Sequence, residues 1–334
     1  MFASRFATLS RRPRAIVGIT FGCAALLYGT AIAGGLTVLV ADDLAAHVGF
    51  VRQLRESQDA GSRFDLIRVD ARPAQAEAAA VDEDAANAGV RTRGLRPSSP
   101  SPDVTMAVGI AAARTAIERP GTDPLVLALL SRLDYETLRI SPALRRPDRP
   151  IGVLLREPSM ADQLALIEAV LPRKRRLGVI ATAESEPLVR ELQRAGQGWD
   201  LQVEYAPDAR SLAAVLRALV ARSDALLVLP DLIGDSQAAT LTVLRAGASA
   251  GLPVFGMSEG LVRSGGLAAA VCTPDQMARQ ARALARKLAA GGVQGVLVEA
   301  ATPATVRVNA TVARGLDLRL PDTSELTQRV SAAR

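Results

Sequence analysis

The sequence contains a single histidine, His47, and this limits the chemistry that the chain can perform. A Ser-His-Asp or Cys-His catalytic arrangement would have to use His47, and a metal site with several histidine ligands cannot be built. The sequence has no nucleophile elbow, no phosphate-binding glycine loop and no metal-ligand motif. We expect His47 to pack or to face solvent, because it lies inside a predicted helix. The sequence favours binding without catalysis, and we expect neither a cofactor nor a metal ion.

Polar residues that could bind a ligand follow short apolar runs typical of buried strands. In open α/β sheets, ligands bind beyond the carboxyl ends of the strands. Carboxylates at such positions can bind an ammonium group, and the N–H groups of helix starts can bind a carboxylate. The candidate ligand-binding residues are Asp42, Asp43, Ser131, Asp134, Glu184, Ser185, Asp231, Ser258 and Glu259.

Several of these candidates could instead cap helices. Asp42 and Asp43 directly precede a predicted helix, and Asp231 follows a proline at a turn. Ser258 and Glu259 could form a capping pair before a short helix. The sequence leaves the capping role and the ligand-binding role open for each of them.

The elements that would position these residues alternate between strands and helices. Fully apolar strands separated by single helices predict parallel sheets that are covered on both faces. Residues 72–102 differ, and we expect one weak helix there, followed by a mobile loop. The predicted strands are 37–41, 64–69, 104–108, 125–130, 151–155, 177–181, 201–204, 225–229 and 253–256, and the predicted helices are 44–56, 161–171, 184–195, 211–221, 236–250 and 275–290.

The N-terminal residues have the pattern of an export signal. Residues 1–14 contain four arginines and no acidic residue, and residues 15–33 are uncharged and end in Ala-Ile-Ala. A basic region, an apolar region and a small-x-small end are typical of a secretory signal peptide, here cleaved after Ala33. The uncharged run continues to Val40, so an uncleaved membrane anchor is the alternative.

Composition and charge exclude nucleic acid as a partner. The chain of 334 residues is 49% hydrophobic and 22% charged, as expected of a globular protein, and its formal net charge is +6. Without the four arginines of residues 1–33, the 40 basic residues become 36, against 34 acidic residues. Aromatic residues make up only 3% of the chain and are not interleaved with the remaining basic clusters, so the pattern of base-stacking proteins is missing.

Four sequence motifs follow one another in a fixed order. They are DQLALIEAVLP at 162–172 with RLGVI at 176–180, SDALLVLPD at 223–231, LPVFGMSEGLVRSGGL at 252–267, and VN at 308–309 leading to ARGL at 313–316 and LP at 320–321. Together they resemble the substrate-binding proteins of ABC transporters, a family typified by tryptophan- and tyrosine-binding lipoproteins with a type I periplasmic-binding fold. The resemblance extends over about residues 150–325, and residues 36–150 are similar in architecture only.

The resemblance implies an α/β fold of two Rossmann-like lobes, each with a parallel sheet, joined by a hinge. Such lobes close over a ligand that contacts both of them, because that ligand has a higher affinity for the closed state. The predicted domains are a signal peptide at 1–33, a first lobe at 34–150 plus 273–303, a crossing helix at 151–174, and a second lobe at 175–272 plus 304–334.

The resemblance also implies an exported, periplasmic solute-binding protein of an ABC importer. Its ligand would be an amino acid or a related small polar compound, and its protein partners would be the permease and ATPase subunits. The protein itself would be a monomer and not an enzyme. A ligand-sensing extracytoplasmic module that signals to a membrane partner is the alternative, and an uncleaved anchor would favour it.

Three stretches depart from the pattern of the family. They are AAAVCTPD at 268–275, GIAAA at 109–113 and LSRLDY at 130–135, and they replace family sequences that help to shape the ligand pocket. The identity of the ligand therefore does not transfer from the family to this chain.

Overall fold

Two six-stranded sheets, each flanked by helices, organise the chain. The computed structural model describes residues 35–58, 62–69, 103–145, 148–293, 295–303 and 305–333, which belong to one compact unit. The signal peptide predicted at 1–33 and the weak helix and loop predicted at 72–102 lie outside the described residues.

The first sheet is entirely parallel and has the strand order β11-β5-β4-β3-β1-β2. Together with helices α1, α2, α3 and α10 it forms lobe 1. Its strands are β1 (Leu36–Val40), β2 (Phe64–Arg68), β3 (Val104–Val108), β4 (Leu125–Leu130), β5 (Ile151–Pro158) and β11 (Val296–Ala301), and its helices are α1 (Ala45–Glu56), α2 (Gly109–Glu118), α3 (Arg132–Leu138) and α10 (Pro274–Ala289).

The second sheet has the order β12-β10-β9-β8-β6-β7 and is parallel except for β12, which pairs antiparallel with β10. It forms lobe 2 with the remaining helices. Its strands are β6 (Arg176–Ala181), β7 (Asp200–Tyr205), β8 (Ala225–Val228), β9 (Val254–Phe255), β10 (Ala268–Val271) and β12 (Thr305–Val308), and its helices are α4 (Met160–Val170), α5 (Glu186–Ala195), α6 (Ala209–Val220), α7 (Leu232–Asp235), α8 (Gln237–Ala250), α9 (Glu259–Arg263), α11 (Ala310–Gly315) and α12 (Thr323–Ala332).

The strands are apolar throughout because both faces of each sheet are covered. In lobe 1, Val38 and Met106 pack on the side of α1 and α10, whereas their chain neighbours Leu39 and Ala107 pack on the side of α2. All four side chains are almost completely buried. Successive residues of a strand point to opposite faces, so a doubly covered strand needs an apolar residue at every position.

The strands and helices predicted from the sequence are confirmed, with small shifts at their ends. Strands β10, β11 and β12 and helices α2, α3, α11 and α12 were not predicted from the spacing of apolar residues, and α7 and α9 were expected only as helices that Asp231 and Ser258 could cap. The largest difference concerns the segment predicted as a crossing helix at 151–174. Its first residues form β5 in the first sheet, and the helix begins only at Met160.

The chain passes between the lobes at three places, all at the edge of the first sheet formed by β11 and β5 and the edge of the second sheet formed by β12 and β10. The crossings run from β5 to α4, from β10 to α10, and from β11 to β12. At the first crossing, Ser159 and Asp162 form a capping box at the start of α4. Gln163 of the same helix bonds both backbone groups of Ala270 in β10, at 2.9 and 3.3 Å, which attaches α4 to lobe 2.

Candidate functional site

A cavity of about 300 Å³ lies where the carboxyl ends of strands from the two lobes meet. Lobe 1 contributes Arg156 and Glu157, near the end of β5, and all other lining residues belong to lobe 2. Those of lobe 2 lie at the end of β8 or follow β8 and β9, as the position of ligands in open α/β sheets predicts. They are Val228, Leu229, Pro230, Gly234, Asp235, Met257, Ser258 and Leu261.

A glycine allows the short helix α7 to lie against the end of β8. A Cβ atom added at Gly234 would lie 2.1 Å from the carbonyl oxygen of Leu229, so any larger residue would displace this turn. The close approach brings Asp235, the last residue of α7, to the cavity.

Asp231 and Ser185 form a buried hydrogen-bond network below α7. One carboxylate oxygen of Asp231 accepts from the N–H groups of Ile233 and Gly234 at 2.9 and 3.1 Å, and the other accepts from the Ser185 hydroxyl. Thr182 donates its N–H to the Ser185 oxygen at 3.0 Å. Burial raises the pKa of Asp231, while the Ser185 hydroxyl and the two N–H groups oppose the rise. Both side chains are therefore engaged in holding lobe 2 together.

Ser258 and Glu259, adjacent in sequence, differ in their environment. The Ser258 hydroxyl oxygen caps α9 by accepting the Leu261 N–H at 3.2 Å, and Ser258 also lines the cavity. Glu259 is exposed and pairs with Arg263 at 3.5 Å and Arg307 at 3.8 Å. Only Ser258 of this pair is placed to contact a ligand in the cavity.

Ser131 and Asp134 form the capping box of α3. The Ser131 oxygen accepts the Asp134 N–H, and the Asp134 carboxylate accepts the Ser131 N–H, both at 2.9 Å. Glu184, in contrast, lies exposed in the short turn Ala183–Ser185 before α5. These three candidates do not line the cavity between the lobes.

The carboxyl end of β1 carries a pair between an aspartate and the single histidine. The Asp42 carboxylate lies 2.6 Å from Nδ1 of His47 and accepts the Leu44 N–H at 3.2 Å. The imidazole occupies the place that a side chain at Gly109 would fill, since a Cβ there would lie 2.4 Å from Cε1 of His47. Gly109 has φ +79, in the left-handed region that favours glycine.

Asp43 lies next to this pair and is bonded to the end of β2. Its two carboxylate oxygens accept from the guanidinium of Arg68 at 2.9 and 2.5 Å. The Arg68 hydrogen bond lowers the pKa of Asp43. Both side chains are exposed, so this is a surface ion pair.

Charged residues also join lobe 1 to lobe 2 beside the cavity. Glu157 is buried, and its carboxylate accepts Nε of Arg156 at 2.7 Å and the backbone N–H of Arg132 at 3.2 Å. The Arg132 guanidinium lies 2.8 Å from Glu191 of α5, which also accepts the N–H of Met160. The Arg132 and Glu191 side chains are only 23% and 17% exposed, so they form a half-buried ion pair between α3 and α5.

The sequence of this chain matches the model of one protein family. The family model described as ABC transporter substrate binding protein matches residues 94–328, more than two thirds of the sequence. The chain belongs to this family. No curated protein sequence matches the chain.

Three solved structures share the fold. A ligand-free, open substrate-binding protein with adhesive properties from Clostridium difficile has a TM-score of 0.60 at 15% identity, over 87% of this chain and 97% of that chain. An ABC domain from Streptococcus pneumonia in complex with L-Trp has a TM-score of 0.53 at 16% identity, over 89% and 98%. A conserved domain protein from Vibrio cholerae has a TM-score of 0.52 at 17% identity, over 89% and 98%. At these identities the likeness establishes the type I periplasmic-binding fold.

ABC substrate-binding proteins are a class of binding proteins, not of enzymes, and they deliver small molecules to transporters, typically outside the cytoplasm. Within the described residues of this member, no helix is long and apolar enough to span a membrane. The same residues hold no group of three or more side chains that could bind a metal ion.

The structure brings together only part of the site expected for this ABC substrate-binding protein. Of the nine candidates, Ser258 lines the cavity, and Asp231 lies directly beneath it. Arg156, Glu157 and Asp235 line the cavity without having been selected. Arg156 and Glu157 carried a signal in the sequence, since two charged residues directly follow the apolar run 151–155. Asp235 had no such signal, because it does not directly follow a predicted strand.

Proposed function

We propose that this chain is an exported solute-binding protein of an ABC importer, which captures a small polar ligand between its lobes by hinge closure. The observation that carries the proposal is the cavity at the carboxyl ends of β5, β8 and β9, with walls from both lobes. A ligand in contact with both walls stabilises the closed state by its higher affinity for that state. An amino acid or related compound suits the charged and hydroxyl groups of the walls.

The protein acts as a monomer that presents its closed state to a membrane permease with ATPase subunits. It has no nucleic-acid partner and no catalytic role. Residues 1–33 direct its export to the periplasm. Family membership supports the transporter partners, and the basic, apolar and small-residue pattern of 1–33 supports export.

Thermal unfolding with and without solutes tests this function. The purified protein is melted in the presence of amino acids, carboxylates, amines and neutral sugars, each supplied singly. A ligand that binds only the folded protein adds about 2.7 kcal/mol of stability at a concentration of 100 times its Kd. We expect at least one solute to raise the Tm and to decrease the radius of gyration measured by small-angle X-ray scattering.

Two tryptophan substitutions show whether the response comes from the cavity. Met257→Trp adds bulk to the cavity wall, and we expect it to remove the solute-induced rise in Tm. Ile140→Trp places the same side chain at a position that is 71% exposed, and we expect it to keep the rise. A protein whose Tm responds to no solute of any class, or responds equally in both variants, contradicts the proposal.

A further inference from the structure

Two charged side chains that line the cavity keep hydrogen-bonding groups without a partner among the described residues. Arg156, on lobe 1, uses Nε to bond Glu157, but Nη1 and Nη2 make no hydrogen bond to any described residue. Asp235, on lobe 2, is exposed, and its carboxylate has neither a hydrogen-bond nor an ion-pair partner in the described part of the chain. Each therefore has bonding capacity to offer a ligand.

Glu157 fixes which edge of the Arg156 guanidinium faces the cavity. Both carboxylate oxygens of Glu157 are occupied, one by Nε of Arg156 and the other by the N–H of Arg132. Burial raises the pKa of Glu157, and the adjacent guanidinium opposes the rise. Because Nε donates to Glu157, the two Nη groups remain available. They form a planar fork, the geometry that suits a carboxylate.

Asp235 is close enough to Arg156 to act on its charge from the opposite lobe. Burial alone would lower the pKa of Arg156, but the carboxylates of Glu157, Asp235 and Asp134 raise it. Three carboxylates thus act on the charge of one guanidinium. A ligand that brought only a negative charge would leave the Asp235 carboxylate unpaired, whereas an ammonium group would compensate it.

The cavity lining also includes apolar side chains. Leu229, Pro230 and Met257 line the cavity, together with the Ser258 hydroxyl. The Ser258 oxygen accepts the Leu261 N–H, and its own proton has no acceptor among the described residues. The hydroxyl is therefore a further donor on lobe 2. The volume of about 300 Å³ is at the small end of ligand pockets.

We propose that Arg156 and Asp235 bind the two ends of a zwitterionic ligand, the Nη groups of Arg156 taking its carboxylate and the Asp235 carboxylate taking its ammonium group. This assignment rests on the proposed function and specifies its ligand class. Because the two residues belong to different lobes, one small molecule links lobe 1 to lobe 2 through two charge-assisted hydrogen bonds. The ligand then stabilises closure through its charged groups, and its side chain contacts the apolar residues of the cavity.

Isothermal titration calorimetry on the purified protein tests the assignment with matched ligands. The probes are the common L-amino acids and, for the one that binds most tightly, two analogues. Its carboxamide lacks the carboxylate, and its desamino acid lacks the ammonium group. A hydrogen bond to a charged group contributes about 1.5–3 kcal/mol, so we expect the amino acid to bind roughly 10- to 100-fold more tightly than either analogue.

Two variants connect each end of the ligand to one residue. Arg156→Met should abolish the preference for the amino acid over its carboxamide and keep the preference over the desamino acid. Asp235→Asn should do the reverse. A merely structural role would weaken all three compounds by the same factor. Arg279→Met is the control, because Arg279 is an exposed arginine of α10 paired with Asp275, and it should leave every affinity unchanged.

The outcomes separate this inference from the proposed function. If variants and wild type bind the amino acid and its analogues equally, or if both variants lose all three compounds alike, Arg156 and Asp235 do not hold the two ends. If only neutral sugars, simple carboxylates or amines bind, the solute-binding function stands and the zwitterionic class is wrong. If no solute binds, both fall. Circular dichroism melts of each variant confirm that the fold is intact.

Discussion

The cleft edges of the two lobes satisfy their polar groups in different ways. On lobe 2, Asp231 is 1% exposed, and it bonds Ser185 and the N–H groups at the start of α7. On lobe 1, Asp43 is exposed and bonds Arg68, while Asp42 bonds His47. Buried groups lose much free energy when a partner is removed, whereas exposed ion pairs lose little. The Asp231 network of lobe 2 therefore contributes more to stability than the exposed Asp43–Arg68 ion pair of lobe 1.

The strongest test of this difference removes the buried carboxylate. Asp231→Ala takes away three hydrogen bonds and leaves the Ser185 hydroxyl and two N–H groups without their acceptor. We expect the free energy of unfolding, measured with urea, to fall by about 2–4 kcal/mol. Asp231→Asn keeps the shape and one acceptor oxygen, so its loss should be smaller.

The matched change on lobe 1 is Asp43→Ala, which breaks an ion pair at the surface. We expect the urea midpoint to fall only slightly, because an exposed ion pair contributes little to stability. Equal losses in Asp231→Ala and Asp43→Ala would show that the two edges do not differ in the way we describe.

A smaller effect is expected where lobe 1 does have a tight contact. Gly109→Ala introduces a Cβ atom 2.4 Å from His47 Cε1 at a residue with φ +79. We expect a loss of about 1–3 kcal/mol in urea unfolding. Adding His47→Ala removes the clash but not the backbone strain, so the double variant should lose less than the sum of the two single variants.

Gly49→Ala is the control for this position, since Gly49 lies inside α1, the helix of His47, with open space around it. Replacing this helical glycine should stabilise the protein by about 0.5–1 kcal/mol. Additive losses for Gly109→Ala and His47→Ala would mean that the imidazole does not occupy the space above Gly109.

The smallest expected effect is on the pH dependence of stability. Asp43 on lobe 1 and Asp231 on lobe 2 should change it in opposite directions. The pKa of Asp43 lies below the unperturbed 3.8, so its contribution to stability is present above pH 3.8 and is lost as the pH falls. The pKa of Asp231 lies above 3.8 because of burial, so its contribution is present below pH 3.8 and is lost as the pH rises through the folded value.

Urea unfolding over a pH series measures both contributions. Asp43→Asn should make the rise of stability with pH shallower, and Asp231→Asn should make it steeper. Slopes that change in the same direction in both variants would contradict the assignment of burial to one edge and ion pairing to the other.

The sequence predicted the strand–helix alternation because doubly covered strands are apolar at every position, as in β4. It did not predict α2, whose alanine-rich residues show little contrast between a buried and an exposed face. It also did not predict β10, AAAV, which was taken as a departure from the family pattern. These four residues form a central strand because β9 and β12 lie on either side of them.

The candidate site was predicted less well than the fold. The sequence located the carboxyl ends of the strands and indicated that Asp231 and Ser258 could cap helices, as they do, but it did not predict that Ser131 caps α3. Which charged groups stay unpaired depends on contacts between distant segments. The second carboxylate oxygen of Glu157 is occupied by the N–H of Arg132, and Asp235 acts on the charge of Arg156 from the other lobe. Neither contact leaves a pattern in the sequence.

All three crossings lie at one edge of each sheet, so this edge acts as the hinge axis between the lobes. Strand β5 lies near the hinge axis, and β2 lies four strand positions away, or about 19 Å. A rotation of about 15° about the hinge axis therefore moves β2 through about 5 Å, while residues beside β5 move far less. Spectroscopic labels on the outer strands β2 and β7 would thus report lobe motion with the greatest sensitivity and stay clear of the cavity.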